Sequence, residues 1–290
     1  MDFSSEQVKR LAELGSDPDA LPAGFAGKAE ANRAYQSLEK AGARACAEGI
    51  RRHLKGGGRP ELNLLKESLA GALVAAGFTE VATPLTVSRS FLEKMGIGPG
   101  HQLTDQIFWV GKNRAVRPML APNLYSLMVD LLRIAPKPVS VFEIGPCMRR
   151  ETKGAKHAEE FTMLNLAEFG LPKESRRERV RELAMLVLDA AGLPKDRFRL
   201  ESEESGVYGE TLDVVSPEGL EVASTAMGPH PLDRAWGVDV PWVGLGFGAE
   251  RLVMARAAAR GERMGLSRAG STLSYLGGWR LNVPGKEERA

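Results

Sequence analysis

Cysteine is nearly absent. Cys46 and Cys147 are the only two in 290 residues, too few for a disulfide framework or a cysteine zinc cage, so the chain reads as reduced and cytoplasmic. Histidine is equally sparse. His53, His101, His157 and His230 have no ligand spacing with one another, and zinc is not expected. No apolar run approaches the ~18 residues of a membrane span. The N-terminus, MDFSSEQVKR, lacks the basic-then-apolar order of a secretion signal. A net charge of only +2 excludes a globally polycationic protein, and neither membrane nor DNA is expected as a partner. What remains is an ordinary globular composition, 43% hydrophobic and 26% charged. The length fits one large domain, or a domain with an appendage.

The most informative stretch runs from Val139 to Gly170, VSVFEIGPCMRRETKGAKHAEEFTMLNLAEFG. It reads as two strands joined by a polar loop. Gly145-Pro146 punctuates the first strand without ending it, and Arg149 and Glu151 share one face because side chains alternate. The loop from Thr152 to Ala158 carries Lys153, Lys156 and His157. On the second strand, Phe161, Met163, Asn165 and Ala167 share a face, and Thr162, Leu164, Leu166 and Glu168 point the other way. Such a constellation suits a nucleotide. An arginine forks onto phosphate, a ring stacks on a base, and a basic loop holds outer phosphates. Taken alone, a half-buried hairpin with a solvated charged tip fits equally well.

Along the chain, Ser4 to Leu14 is expected as a short helix, with Ser4 and Gln7 at capping-box spacing and Gly15 as its stop. The connector SDPDALPAGF follows. Lys28 to Leu54 forms a second helix, with Ala34, Leu38, Ala41, Ala45 and Ile50 along one side. Between Lys28 and Arg59 there is a local excess of five positive charges. That basic face, including Arg44, Arg51 and Arg52, is either solvated or an RNA-facing surface. Gly56-Gly57-Gly58 marks a boundary, with Pro60 starting a helix that carries Leu62, Leu65, Leu69 and Leu73 and closes at Gly77. GFTEVATP enters a strand. Ser88 to Gly100 is a helix and loop, and QIFWV pairs with the strand before Arg117 around Gly111-Lys112-Asn113. Asn123 to Ile134 is a helix with Leu124, Tyr125 and Met128 on one side, as core or as pocket lining. Lys173 to Ala191 is a helix with Val180, Leu183 and Val187 inward and Arg176, Arg177 and Arg181 outward. Two strands, GVYGETLDVV and GLEVASTAM, join through a Ser216–Gly219 turn. Trp242 to Gly248 is a strand running into a helix from Ala249 to Arg260, and the tail from Tyr275 to Ala290 is loop-like. Mostly antiparallel strands with helices between them predict an α+β fold. GLGFGA is spaced G-x-G-x-G with about forty residues after it, so a Rossmann reading fails on context.

Strand–Pro at Gly77 to Pro84, FEIGPCMRRE–loop–EFTMLN, then GLGFGAER follow the order of motifs 1, 2 and 3 of class II aminoacyl-tRNA synthetases. From about Pro60 onward the chain resembles the catalytic core of the pyrrolysyl-tRNA synthetase family. RPMLAPNLY, EFTMLN, VYGETLDV and PWVGLGFGAERL carry that resemblance more specifically than the generic motifs. It implies a class II antiparallel sheet flanked by helices. Residues 1–59 would be an N-terminal helical tRNA-contacting region and 60–290 the catalytic domain, in the form that lacks a separate N-terminal tRNA-binding domain. It also implies a homodimer built on motif 1, with ATP as substrate and Mg²⁺ as cofactor. The expected reaction joins pyrrolysine to an amber-reading tRNA through a pyrrolysyl-adenylate, releasing AMP and pyrophosphate. Neither step needs a protein nucleophile; both need positive charge on the phosphates and two substrates held in line.

The resemblance assigns roles by motif position. Arg149 grips the α-phosphate and carboxylate, and Glu151 reads the adenine amino group. Phe161 and Arg251 cover the two adenine faces, and His157 meets the outer phosphates. Glu221 and Ser224 match the family's Mg²⁺ pair. Residues three apart on a regular strand point to opposite faces, so Ser224 requires a bulge or turn to join Glu221. Ala121, Leu124, Tyr125, Met128, Ala167 and Trp242 line the amino-acid pocket. Asn165 matches the asparagine that bonds the substrate's side-chain amide; as a buried polar residue it is otherwise structural. Tyr208 resembles the tyrosine that closes over the ring; the other reading is a surface strand tyrosine. Two further functions stay open: a class II synthetase for another bulky amino acid such as phenylalanine, and a synthetase-like tRNA-binding protein without catalysis.

Overall fold

The computed structural model describes residues 2–14, 16, 20–150 and 159–260. Glu151, His157 and the rest of the central loop lie outside the described residues, as do Gly15, Asp17 to Asp19 and the tail from 261 onward. Contacts divide the chain at Leu64–Leu65 into two compact units.

The first unit holds α1 (Ser5–Glu13) and α2 (Lys28–Lys55). The capping box forms as the spacing predicts: Gln7 N–H donates to Ser4 Oγ at 3.3 Å and Ser4 N–H to Gln7 Oε1 at 3.0 Å, worth about 1 kcal/mol. Leu11 and Ala31 are buried between the helices. The apolar side expected along all of α2 is only partly covered. Ala34 and Leu38 are half-buried, whereas Ala41 and Ala45 are exposed, and the side chain of Ile50 lies outside the described set. The reason is length, because α1 reaches about 13 Å and α2 about 42 Å at 1.5 Å per residue. Arg44, Arg51 and Arg52 are all exposed.

α3 (Glu61–Ala75) buries Leu62, Leu65, Leu69 and Leu73 as expected. It starts one residue after Pro60, whose carbonyl accepts from Leu64 N–H at 3.1 Å. After Gly77, in the left-handed region at φ 88°, β1 spans only Thr79–Glu80, shorter than GFTEVATP suggests. The chain leaves the ladder because Thr83 N–H donates to the Glu143 carboxylate instead. β2 (Thr86–Ser88), α4 (Arg89–Lys94), β3 (Arg114–Val116) and α5 (Ala121–Ile134) follow. The QIFWV hairpin shrinks to a single bridge at Trp109–Ala115, because β3 spends its ladder on β2.

The second unit is organised by β4 (Val139–Met148) and β5 (Glu160–Phe169), paired antiparallel from Val139–Phe169 to Met148–Glu160. Pro146 does not break β4; its carbonyl accepts from Arg117 Nε at 2.8 Å. Then come α6 (Arg176–Ala190), β6 (Arg199–Ser205), β7 (Gly209–Val215), β8 (Glu221–Gly228), α7 (Asp233–Trp236), β9 (Trp242–Gly248) and α8 (Ala249–Ala259). The seven-stranded sheet runs β1-β4-β5-β9-β8-β7-β6, parallel at β1–β4 and otherwise antiparallel, which is the α+β class II arrangement expected. β6 was not foreseen, since RLESEES is polar and forms an edge. Arg176 also departs from expectation: it turns inward to donate to the Gly228 carbonyl.

One sheet face is sealed. Leu164, Leu166, Val243, Leu245 and Phe247 pack with Val180, Leu183 and Val187 of α6 and Leu252 and Val253 of α8, each at most 1% exposed. Truncating one of the leucines or Phe247 to alanine costs about 2–5 kcal/mol. The opposite face is covered in part by α5 and α7 and is only half-buried from Phe161 to Asn165. Among the described residues no helix is long and apolar enough to cross a membrane.

Candidate active site

Side chains directly opposite in paired strands point to the same side. The register therefore lays one polar row across the half-buried face: Glu143, Asn165, Gly246, Ser224 and Asp213 on β4, β5, β9, β8 and β7. The next row is apolar and small: Val141, Ala167, Gly244 and Ala226. The third ends in Phe169, Trp242 and Gly228. Period-two glycines in GLGFG are what leave this floor low. A Cβ at Gly228 would collide with the Trp242 indole, and one at Gly246 would meet Met163 Cε at 3.3 Å.

The bulge that Glu221 and Ser224 require is present. Val214 pairs with Ala223, yet Val215 pairs with Glu221, so Val222 is the extra residue. Val222 and Ala223 are both buried, while Glu221 is exposed and Ser224 half-buried. A carboxylate and a hydroxyl on one accessible patch are the oxygen donors Mg²⁺ accepts. Asp213 lies beside them, accepting from Thr211 Oγ1 at 3.2 Å, with Ser224 and Glu221 as electrostatic neighbours. Burial raises its pKa, and the nearby Glu221 adds to that. Arg251 Nη1 reaches the Glu221 carboxylate at 3.2 Å and its carbonyl at 3.1 Å.

Arg149 follows β4 and donates through Nε to the Pro118 carbonyl at 2.8 Å. Its guanidinium stands 5.4 Å from the Phe161 ring centre, bringing those two expected nucleotide residues together. Pro118 is held by its neighbour Arg117, which is 3% exposed. Arg117 Nη1 pairs with Glu143 at 2.6 Å, and Thr83 Oγ1 donates to the other Glu143 oxygen at 2.7 Å. Glu250 accepts Thr162 N–H through both oxygens, at 2.8 and 2.9 Å, where β5 outruns β9 and has no partner on that side. Cys147, fully buried between these groups, has its thiol pushed up to about 12 by burial.

The expected pocket residues gather at the other end. Leu124, Tyr125 and Met128 on α5 are at most 4% exposed, Ala167 and Trp242 are buried, and Ala121 is half-buried. Tyr125 stacks on Trp236 at 5.3 Å and stands edge-on to Trp242 at 5.7 Å and Phe169 at 6.0 Å. Burial is the main cause that raises both the Tyr125 and Tyr208 phenols well above their usual range. Tyr208 sits in the turn joining β6 to β7, not on a strand, and its ring faces His230 at 5.6 Å and Trp242 at 6.2 Å. The Asn165 side-chain amide has no hydrogen-bond partner among the described residues, and it lies on the half-buried face. A buried structural asparagine would have its amide paired. Asp233, Glu143, Arg117 and Glu250 were missed by sequence reasoning. PLDRAW contains the first, but a lone aspartate in a polar connector carries no local signal.

No protein-family model matches the chain. Among curated proteins it is 27% identical over 124 residues to the histidine–tRNA ligases of two strains of Leptospira biflexa. That alignment covers 43% of this chain and 28% of the ligase, less than a third of the relative's length. A pyrrolysyl-tRNA synthetase structure from Desulfitobacterium hafniense superposes with a TM-score of 0.83 at 45% identity, covering 97% of this chain and 98% of that one. A second structure from the same organism gives 0.82 and 44%, covering 97% and 95%. A likeness of that extent makes this chain a member of the pyrrolysyl-tRNA synthetase family.

Proposed function

We propose that the chain ligates pyrrolysine to its cognate amber-reading tRNA through an adenylate, as a cytoplasmic homodimer. The observation that carries the substrate reading is Asn165: a side-chain amide unpaired among the described residues, on the half-buried face, flanked by the small Ala167 and an aromatic wall. An amide carbonyl on a long substrate side chain would meet the Asn165 amide while its ring lies against Tyr125, Trp242 and Tyr208. Burying about 150 Å² of ring contributes roughly 4 kcal/mol against about 1 for the hydrogen bond, so fit supplies affinity and Asn165 the pose.

For the first step, Arg149 would bind the α-phosphate and the amino-acid carboxylate and stabilise charge as the two react. Phe161 and Arg251 would hold the adenine between them, with Glu151 and His157 assigned by motif position to its amino group and the outer phosphates. Glu221 and Ser224 would hold Mg²⁺, whose charge would neutralise the phosphates. Exposed Arg44, Arg51 and Arg52 on α2 supply a phosphate-binding face for tRNA. Exposed Leu64 and Val74 on α3 give the motif 1 helix apolar surface for a dimer.

The test is charging of a transcribed amber-reading tRNA. Formation of aminoacyl-tRNA with pyrrolysine or an Nε-acyl lysine, and none with free lysine, is expected. Equal charging with free lysine would remove Asn165 from recognition.

A further inference from the structure

We infer that Asp233 is a positioning residue that fixes the width of the amino-acid pocket by tying three of its walls to one carboxylate. The inference rests on the reading above, that the aromatic end of the half-buried face receives the substrate side chain. Asp233 is 3% exposed. Its Oδ1 accepts from the Tyr125 hydroxyl at 3.0 Å. Its Oδ2 accepts from Trp242 Nε1 at 2.9 Å and from the His230 backbone N–H at 2.6 Å. These donors come from α5, from β9 and from the segment leading into α7. A fourth element joins through His230. Its Nδ1 accepts from Leu232 N–H at 3.2 Å, which leaves the proton on Nε2 to donate to the Tyr208 carbonyl at 2.9 Å. The turn that carries Tyr208 is thus linked to the same carboxylate.

A buried carboxylate is stable only while its donors stay in place. Asp233 forms no salt bridge among the described residues, so neutral donors alone hold it. A shift of Tyr125 away from Trp242 would strip one oxygen, which makes the separation of the two rings costly to change. Pocket width is therefore set by a residue behind the wall, not only by the volumes of the residues lining it.

Asp233→Asn tests this. The amide keeps one acceptor oxygen for Trp242 Nε1 and the His230 N–H, which only donate, so its NH2 faces Tyr125 and that hydroxyl must turn from donor to acceptor in a weaker, neutral hydrogen bond. Pyrophosphate exchange is measured on the full chain with Nε-acetyl-lysine and with the bulkier Nε-benzyloxycarbonyl-lysine, each against varied ATP. The ratio of kcat/KM values is expected to move about tenfold toward the bulky substrate, with the ATP KM within about twofold of the unmodified protein. In the free protein, the Trp242 indole N–H resonance, assigned with Trp242→Phe, is expected to move with the substitution. If Asp233→Asn does not fold, Tyr125→Phe removes that tie outright while keeping the ring, and the same shift toward the bulky substrate is expected. An unmoved substrate ratio in a folded variant, or equal losses for both substrates and for ATP, overturns the inference alone. Failure of the unmodified protein to activate either lysine derivative overturns the reading of the site.

Discussion

Gly246→Ala probes the floor of the site with one methyl group. The new Cβ would lie 3.3 Å from Met163 Cε and 3.9 Å from Asn165 Oδ1. The methionine terminus is flexible and gives way cheaply, while alanine in place of glycine within a strand gains about 0.5–1 kcal/mol. Stability is therefore expected to stay within about 1 kcal/mol, roughly 2–4 °C in melting temperature. The methyl does occupy the space above β9 beside the Asn165 amide. Losing that hydrogen bond and the close approach of the ring costs about 1.4 kcal/mol, a roughly tenfold rise in amino-acid KM with ATP KM unchanged. Pyrophosphate exchange with each substrate varied in turn, alongside a thermal melt, separates these terms. An unchanged amino-acid KM would show that the substrate does not lie across Gly246, and a melting temperature lowered by more than ten degrees would refute the packing argument.

Arg149→Ala is expected to cut pyrophosphate exchange by at least roughly a hundredfold with the melt preserved, since a transition-state charge contact is worth about 3 kcal/mol; activity within tenfold removes it from the α-phosphate. Neutralising Arg44, Arg51 and Arg52 together is expected to weaken tRNA binding and lower its log–log salt slope by roughly one unit per lost contact, with adenylate formation unaffected. Unaltered tRNA affinity makes that face merely solvated. Glu143→Ala strands the Arg117 guanidinium in a site where both partners are at most 4% exposed, which costs about 3–5 kcal/mol by urea denaturation, and a loss under 1 kcal/mol contradicts the pairing.

Much of this protein is legible in one dimension because its strands alternate cleanly. Phe161, Met163, Asn165 and Ala167 share the face their period-two spacing assigns, and the bulge at Val222 is one that the resemblance, by pairing Glu221 with Ser224, demands of that strand. What escaped was non-local. RLESEES forms an edge strand because β7 offers it a ladder, although no apolar alternation marks it. Tyr208 falls in a turn because β6 exists, and the side chains that brace the site are distant polar partners. Glu143 reaches Arg117 and Thr83 across 26 and 60 residues, and Asp233 reaches Tyr125 across 108. No window along the sequence contains such pairs.

ATP–pyrophosphate exchange in the presence of pyrrolysine, phenylalanine or free lysine tests the central claim most directly. Exchange stimulated by pyrrolysine, with phenylalanine and lysine near background, is the expected result. Efficient exchange with phenylalanine would contradict the pyrrolysine reading, and no exchange with any of the three would leave a synthetase fold without the activity assigned to it.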